Sequence, residues 1–264
     1  MKRIVSRHNP LFKSLRKLSQ SARERKKTGH MLLDGMRLLS ACGRRGGTPV
    51  RVVLSPTGIE DAEILAWLTA HPHVPQVLLD TALFNEIAPV ETPTGILAVA
   101  DLPRFPRHSE PSPLTVLLED IQDPGNLGSI LRSAAGAGCR EAFLSQECAD
   151  PWSPRTLRAG MGAHFLLALR EGADLPAVAR AFPGKVVATA GGTPASLYAQ
   201  DLRGSVAFAF GNEGAGLSAE LRAAADAVAA IPLAAGVESL NVAAAAAICC
   251  FEWVRQRLAP PFSA

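Results

Sequence analysis

The chain has 264 residues, 48% hydrophobic and 19% charged, enough for one large domain or two ordinary ones, each with its own core. Its longest apolar runs are alanine-rich and fall short of the roughly 18 residues of a membrane span, and its basic N-terminus lacks the apolar stretch of a secretory signal, so a soluble cytoplasmic protein is expected. Net charge is +3 and unevenly divided: residues 1–113 hold 16 Lys and Arg against 10 Asp and Glu, residues 114–264 hold 11 against 14.

The first thirty residues carry Lys2, Arg3, Arg7, Lys13, Arg16, Lys17, Arg23, Arg25, Lys26 and Lys27 against Glu24 alone. Such a face attracts a polyanion, nucleic acid above all; a solvated helix surface is the alternative. Residues 29–46 repeat apolar side chains at helical spacing and end in glycines, predicting a helix. Strands are predicted at 50–55, 76–80 and 95–100, with helices at 61–71 and 81–88 between them. That alternation predicts a small α/β unit with a mostly parallel sheet.

Residues 101–113 contain four prolines and few large apolar groups. They cannot continue a helix or a central strand, and 106–113 is read as a linker between domains at 1–105 and 114–264.

The alternation then resumes. Strands are expected at 114–119, 141–145, 163–169, 186–191, 206–211 and 227–232, and helices at 126–138, 154–160, 174–182 and 217–225. From Ser239, a candidate N-cap, Leu240, Ala244, Ala247, Phe251, Val254 and Leu258 recur at spacings of 4, 3, 4, 3 and 4, the face of a last helix. The five cysteines (Cys42, Cys139, Cys148, Cys249, Cys250) show no paired C-x-x-C, so reduced structural thiols are expected and no metal site.

Three strand-to-helix junctions concentrate small and polar residues. Residues 123–134 read DPGNLGSILRSA: Pro124 and Gly125 are expected to turn, Asn126 to cap or begin a helix, and Arg132 to lie about 9 Å further along its axis. Arg132 then either reaches back toward the strand end or lies flat on the surface. Residues 210–218 read FGNEGAGLS, a glycine-rich turn carrying Glu213 where a phosphate cradle would want positive charge. Residues 231–246 read IPLAAGVESLNVAAAA, with Ser239 and Asn241 entering the last helix. The six histidines are scattered, and no Ser-His-Asp set is visible. A dinucleotide loop is disfavoured because the G-x-G-x-x-G spacing fails.

Together the three resemble the sequence motifs of SpoU-type, TrmH-like enzymes of the SPOUT methyltransferase superfamily. The resemblance rests on Asn126 with Arg132; on Gly211-Asn212-Glu213-Gly214-Ala215-Gly216-Leu217; and on Ile231-Pro232 with Ser239-Leu240-Asn241-Val242. It covers the C-terminal half, with 150–167 similar to the family's intervening segment. Residues 9–18 and 34–39 resemble, more weakly, the attached L30e-like domain; Asp34 stands where a Glu is usual.

The resemblance implies an α/β fold: a C-terminal sheet, mostly parallel, tied in a trefoil knot with helices on both faces, preceded by a small L30e-like domain. The small side chains of Ala243 to Ala247 allow the close approach a threaded helix needs. It implies methyl transfer from S-adenosylmethionine to a ribose 2′-hydroxyl of RNA, ribosomal RNA favoured over tRNA, by a homodimer without metal. A catalytically inactive RNA-binding relative is the non-enzymatic alternative. The implied cofactor contacts are Thr189, Ala190, Gly191, Gly211, Ile231, Leu233 and Leu240. The implied catalytic set is Asn126, Arg132, Glu213, Ser239 and Asn241, with Arg132 clamping an RNA phosphate and stabilising alkoxide charge, since a guanidinium stays protonated. Glu213 faces the sulfonium or buttresses Arg132 or the loop; these stay open. Arg7, Lys13, Arg37 and Arg158 are candidate RNA contacts.

Overall fold

The computed structural model describes residues 1–90, 92–105 and 112–258. Most of the expected linker, 106–111, lies outside them. The chain forms two compact units, Met1–Arg104 with Asp150–Phe165, and Phe105–Ala149 with Leu166–Ala264.

The first unit is built on a five-stranded sheet in the order β1-β4-β3-β5-β2. Its strands are β1 (Lys2–Ile4), β2 (His30–Asp34), β3 (Arg51–Leu54), β4 (Gln76–Leu79) and β5 (Ile96–Asp101), and its helices include α1 (Pro10–Gln20), α2 (Ala22–Thr28), α3 (Gly35–Gly43), α4 (Ala62–Ala70) and α5 (Thr81–Ile87). The sheet is mixed rather than mostly parallel, because β5 runs antiparallel to both β2 and β3. Residues 29–46 are not one helix: Met31, Leu32 and Leu33 are buried in β2, and Gly35 at φ +85 turns the chain into α3. A left-handed backbone there suits glycine and interrupts any continuous helix.

In α1 the Asn9 side chain accepts from the Leu11 N–H and Pro10 occupies the first turn, while Phe12, Leu15 and Leu18 are buried at helical spacing. They join Ile4, Leu83 and Phe84 in one core, leaving Lys13 and Lys17 outward. Arg25 departs from the expected basic face: it is buried, pairs with Asp150 and donates to the Leu18 and Ser19 carbonyls.

The second unit holds β6 (Leu114–Leu118), β7 (Glu141–Leu144), β8 (Ala168–Arg170), β9 (Lys185–Thr189), β10 (Val206–Phe210) and β11 (Ala227–Ala229). All neighbours in the order β11-β9-β10-β6-β7-β8 are parallel. Strands β6 and β10 are buried throughout, as a parallel sheet covered on both faces requires. One face carries α8 (Leu175–Ala181) and α9 (Ala219–Ala223), through Leu175, Ala179 and Leu221; α6 (Pro124–Gly136) and α10 (Val242–Leu258) pack on each other, and α10 on β10. Between β7 and β8 the chain makes α7 (Pro154–Gly160), which packs on β2 in the first unit. The strand expected at 163–169 is a 3-10 turn at Ala163–Phe165 followed by the short β8.

Two helix readings are corrected. Asp123 caps α6 by accepting from the Asn126 N–H, and Pro124 is its first residue; proline lacks the N–H that this position leaves unpaired, so Asn126 sits inside the first turn. The cap of α10 is Asn241, whose Oδ1 accepts from the Ala243 and Ala244 N–H groups, not Ser239. Its buried face is Ala246, Cys249, Cys250 and Trp253, whereas Phe251 and Leu258 of the expected face are exposed. The helix is apolar almost all round, so spacing alone did not select the buried side.

Candidate active site

The carboxyl ends of β9, β10 and β11, with the segment entering α10, line a cleft of about 640 Å3. Crevices at strand carboxyl ends are where open parallel sheets bind ligands. Thr189, Ala190, Gly191, Gly211, Glu213, Ile231, Leu233, Ser239, Leu240 and Asn241 all line it. Asn126 reaches the cleft through hydrogen bonds. Arg132 is not among the lining residues: it lies exposed on α6, with no ion-pair or hydrogen-bond partner among the described residues.

The glycine-rich loop after β10 is closed upon itself. Asn212 and Gly216 exchange backbone hydrogen bonds at 3.1 and 2.9 Å, and the Asn212 Oδ1 accepts from the Gly214 and Ala215 N–H groups. The Asn212 Nδ2 donates to the Asp120 carbonyl at 2.9 Å, and Glu119 accepts from both the N–H and the hydroxyl of Ser218. The N–H groups of Asn212, Gly214, Ala215 and Gly216 are thus engaged within the loop, which removes most of the donors a phosphate cradle would depend on. A side chain at Gly211 would begin 2.3 Å from the Gly216 carbonyl carbon. Gly211→Ala is therefore expected to destabilise the protein by about 1–3 kcal/mol and to weaken ligand binding in the cleft; thermal melting and calorimetry measure the two effects.

Glu213 fixes the polarity of a side-chain relay. A carboxylate only accepts, so the Asn126 amide presents Nδ2 to Glu213 Oε1, at 3.0 Å, and turns Oδ1 toward Asn241, whose Nδ2 donates to it at 2.9 Å. Asn241 Oδ1 is already committed to the α10 cap. Partial burial raises the Glu213 pKa, but hydrogen bonds from Asn126 and from the backbone of Glu213, Gln122 and Asp123 outweigh it, holding the carboxyl below its ordinary value. Glu213 therefore holds Asn126 and the entry to α6, rather than Arg132.

The candidate RNA contacts lie in the first unit. Arg7 pairs with Glu86 at 2.7 Å and Arg158 with the buried Asp34 at 2.6 Å. Lys13 and Arg37 are exposed, with no ion-pair partner among the described residues. Burial raises the Asp34 pKa and Arg158 only partly offsets it, so Arg158 is committed to this buried carboxyl. No group of His, Cys, Asp and Glu among the described residues could hold a metal ion.

The residues behind the loop escaped sequence reasoning. Asp120 adopts φ +55, accepts from the Ser145 hydroxyl at 2.6 Å and through its carbonyl holds Asn212. A non-glycine residue in that region is uncommon, Asp being among those that tolerate it. Its place at a strand end beside the first motif was the available signal.

A parallel sheet with a glycine-loop cleft at its carboxyl edge and an Asn-Asn-Glu relay is the arrangement of a ligand-binding α/β enzyme. Residues 113–251 match the SpoU rRNA Methylase family and residues 9–98 the MRM3-like substrate binding domain. The chain is 34% identical over 260 residues to an uncharacterized tRNA/rRNA methyltransferase of Synechocystis sp., covering 97% of this chain and 94% of that one. It is 31% identical over 262 residues to the 23S rRNA (guanosine(2553)-2′-O)-methyltransferase RlmP of Bacillus subtilis, covering 94% and 97%. The crystal structure of an AdoMet-bound rRNA methyltransferase from Sinorhizobium meliloti superposes with a TM-score of 0.82 at 30% identity, covering 98% and 99%. The chain belongs to the SpoU rRNA methylase family.

Proposed function

We propose that this protein transfers a methyl group from S-adenosylmethionine to a ribose 2′-hydroxyl of ribosomal RNA. The observation that carries the reading is the cleft at the ends of β9, β10 and β11, with its motifs in place and the N–H groups of Asn212, Gly214, Ala215 and Gly216 already engaged within the loop. Its lining fits S-adenosylmethionine: apolar Ile231, Leu233 and Leu240 suit an adenosine, and Glu213 and Glu238 suit cationic groups. Backbone groups of Thr189, Ala190, Gly191 and Gly211 would hold the ligand from the strand ends. The bound cofactor supplies a methyl group on a sulfonium, ready for in-line displacement.

The chain's own groups do the positioning. Glu213 orients Asn126, and Asn126 orients Asn241, so the amide hydrogens left over point in fixed directions toward the ribose. Ser239 is exposed at the cleft, with no partner among the described residues, and adds a hydroxyl. Arg132, cationic throughout, clamps the neighbouring RNA phosphate and stabilises charge developing on the 2′-oxygen. The proton leaves to that phosphate or to water.

In this reading residues 1–105 form an L30e-like RNA-binding domain using Lys13 and Arg37, whose charges are unpaired among the described residues, whereas Arg7 and Arg158 meet RNA only by exchanging Glu86 and Asp34 for a phosphate. The small side chains of Ala243 to Ala247 support a trefoil knot, and the exposed Phe251 and Leu258 support a homodimer. The unpaired cysteines support a reducing cytoplasm. The test uses tritiated S-adenosylmethionine with separate unmodified ribosomal and transfer RNA pools, digested to nucleosides. Label in a 2′-O-methylnucleoside from ribosomal RNA is expected; label only in transfer RNA, or none despite cofactor binding to a folded protein, overturns the assignment.

A further inference from the structure

The cleft contains one cationic side chain that the scheme above does not use. Arg222, on α9, lines it and is exposed, and its guanidinium has no ion-pair or hydrogen-bond partner among the described residues. Its Nη2 lies 3.9 Å from where a side chain on Gly216 would begin, so it overhangs the glycine loop from the cleft side.

The lining presents a definite charge pattern: Glu213 and Glu238 negative, Arg222 positive. S-adenosylmethionine carries the complement, with two cations (sulfonium and α-ammonium) and one carboxylate. That carboxylate needs donors, and the N–H groups nearest Arg222, in the glycine loop and at the start of α10, are largely engaged already. The N–H groups of Asn212, Gly214, Ala215, Gly216 and Ser218 are engaged within the loop and its support. Those of Ala243, Ala244 and Ala245 at the start of α10 are taken by Asn241. A guanidinium presents the planar fork that matches a carboxylate, and at a partly desolvated site the pair is stronger than a neutral hydrogen bond.

We infer that Arg222 recognises the carboxylate at the methionine end of S-adenosylmethionine. This rests on reading the cleft as that cofactor's site. Glu213 and Glu238 then face the two cationic centres, and the molecule enters with its methionine end toward α9.

Calorimetry with S-adenosylmethionine and with its decarboxylated analogue, which keeps the sulfonium and amine and lacks only the carboxylate, tests the assignment. The wild-type protein is expected to bind the complete cofactor roughly 10- to 100-fold more tightly than the analogue. Arg222→Ala is expected to bind both at about the wild-type affinity for the analogue, erasing the discrimination. Arg222→Lys is expected to retain part of it, and decides the matter if the alanine variant fails to fold. Equal wild-type affinities, or an equal loss of both in Arg222→Ala, overturns the inference. So does unchanged cofactor binding with a raised KM for RNA, which assigns Arg222 to the RNA phosphate instead. If the folded wild-type protein binds neither compound, the cofactor reading of the cleft falls, and this inference with it.

Discussion

Arg132→Ala is expected to lower methyl transfer to RNA by roughly 100- to 1,000-fold, the cost of removing one preorganised donor from a developing oxyanion, while leaving cofactor affinity and melting temperature unchanged. Each part follows from the position of the side chain. Arg132 lies on the exposed side of α6 and has no partner among the described residues, so truncating it strands no buried group. Substitutions at such sites usually stay within about 0.5 kcal/mol. It does not line the cleft, so the cofactor loses no contact. Its work is on the RNA: holding the phosphate and meeting charge on the ribose oxygen. Arg132→Lys keeps the charge and loses the fork, and should fall between the two. Single-turnover methylation with saturating cofactor, beside calorimetry on the same variants, separates the steps. Near wild-type turnover in Arg132→Ala would sink the mechanism, and a matching loss of cofactor affinity would move Arg132 into the cofactor site.

The C-terminal sheet was legible because β10 is a continuous apolar run and β6 one broken only by Thr115, both bounded by turn residues, the pattern of strands covered on both faces. The three motifs were legible because their residues stand together at fixed spacing beside strand ends. What they do to one another was not. That Glu213 accepts from Asn126 joins positions 87 residues apart, and the direction of each amide follows from geometry that no spacing records. Local pattern failed where two structures share it. Met31 to Leu33 suits a buried helix as well as β2, and the alanine and cysteine run of α10 is apolar on every side. Arg222 carries no signal at all in sequence, since exposed arginines on short helices are common.

The placement of residues 150–165 was the least legible feature, and it changes what truncation should do. A chain starting after residue 105 keeps every strand of the second sheet. Yet Asp150–Phe165, between β7 and β8, belongs to the compact unit formed by Met1–Arg104. There Asp150 meets the buried Arg25, Arg158 meets the buried Asp34, and α7 packs on β2. Trp152, Leu157 and Phe165 are buried, and His164 is fully so, its pKa lowered to about 4 by burial. Removing residues 1–105 strips this segment of its partners. Exposing each large apolar side chain costs about 1.5–3 kcal/mol, and three of them approach the 5–15 kcal/mol by which whole domains are stable. The truncated chain is therefore expected to aggregate or to melt well below the full-length protein, rather than simply losing RNA affinity. Replacing Trp152, Leu157 and Phe165 with polar residues in the truncated chain should recover soluble protein that binds S-adenosylmethionine. Size-exclusion chromatography, thermal melting and calorimetry on both truncated chains decide it. A truncated chain with native Trp152, Leu157 and Phe165 that is monodisperse, melts near the full-length temperature and binds the cofactor normally would show that the segment is not structurally tied to the first unit.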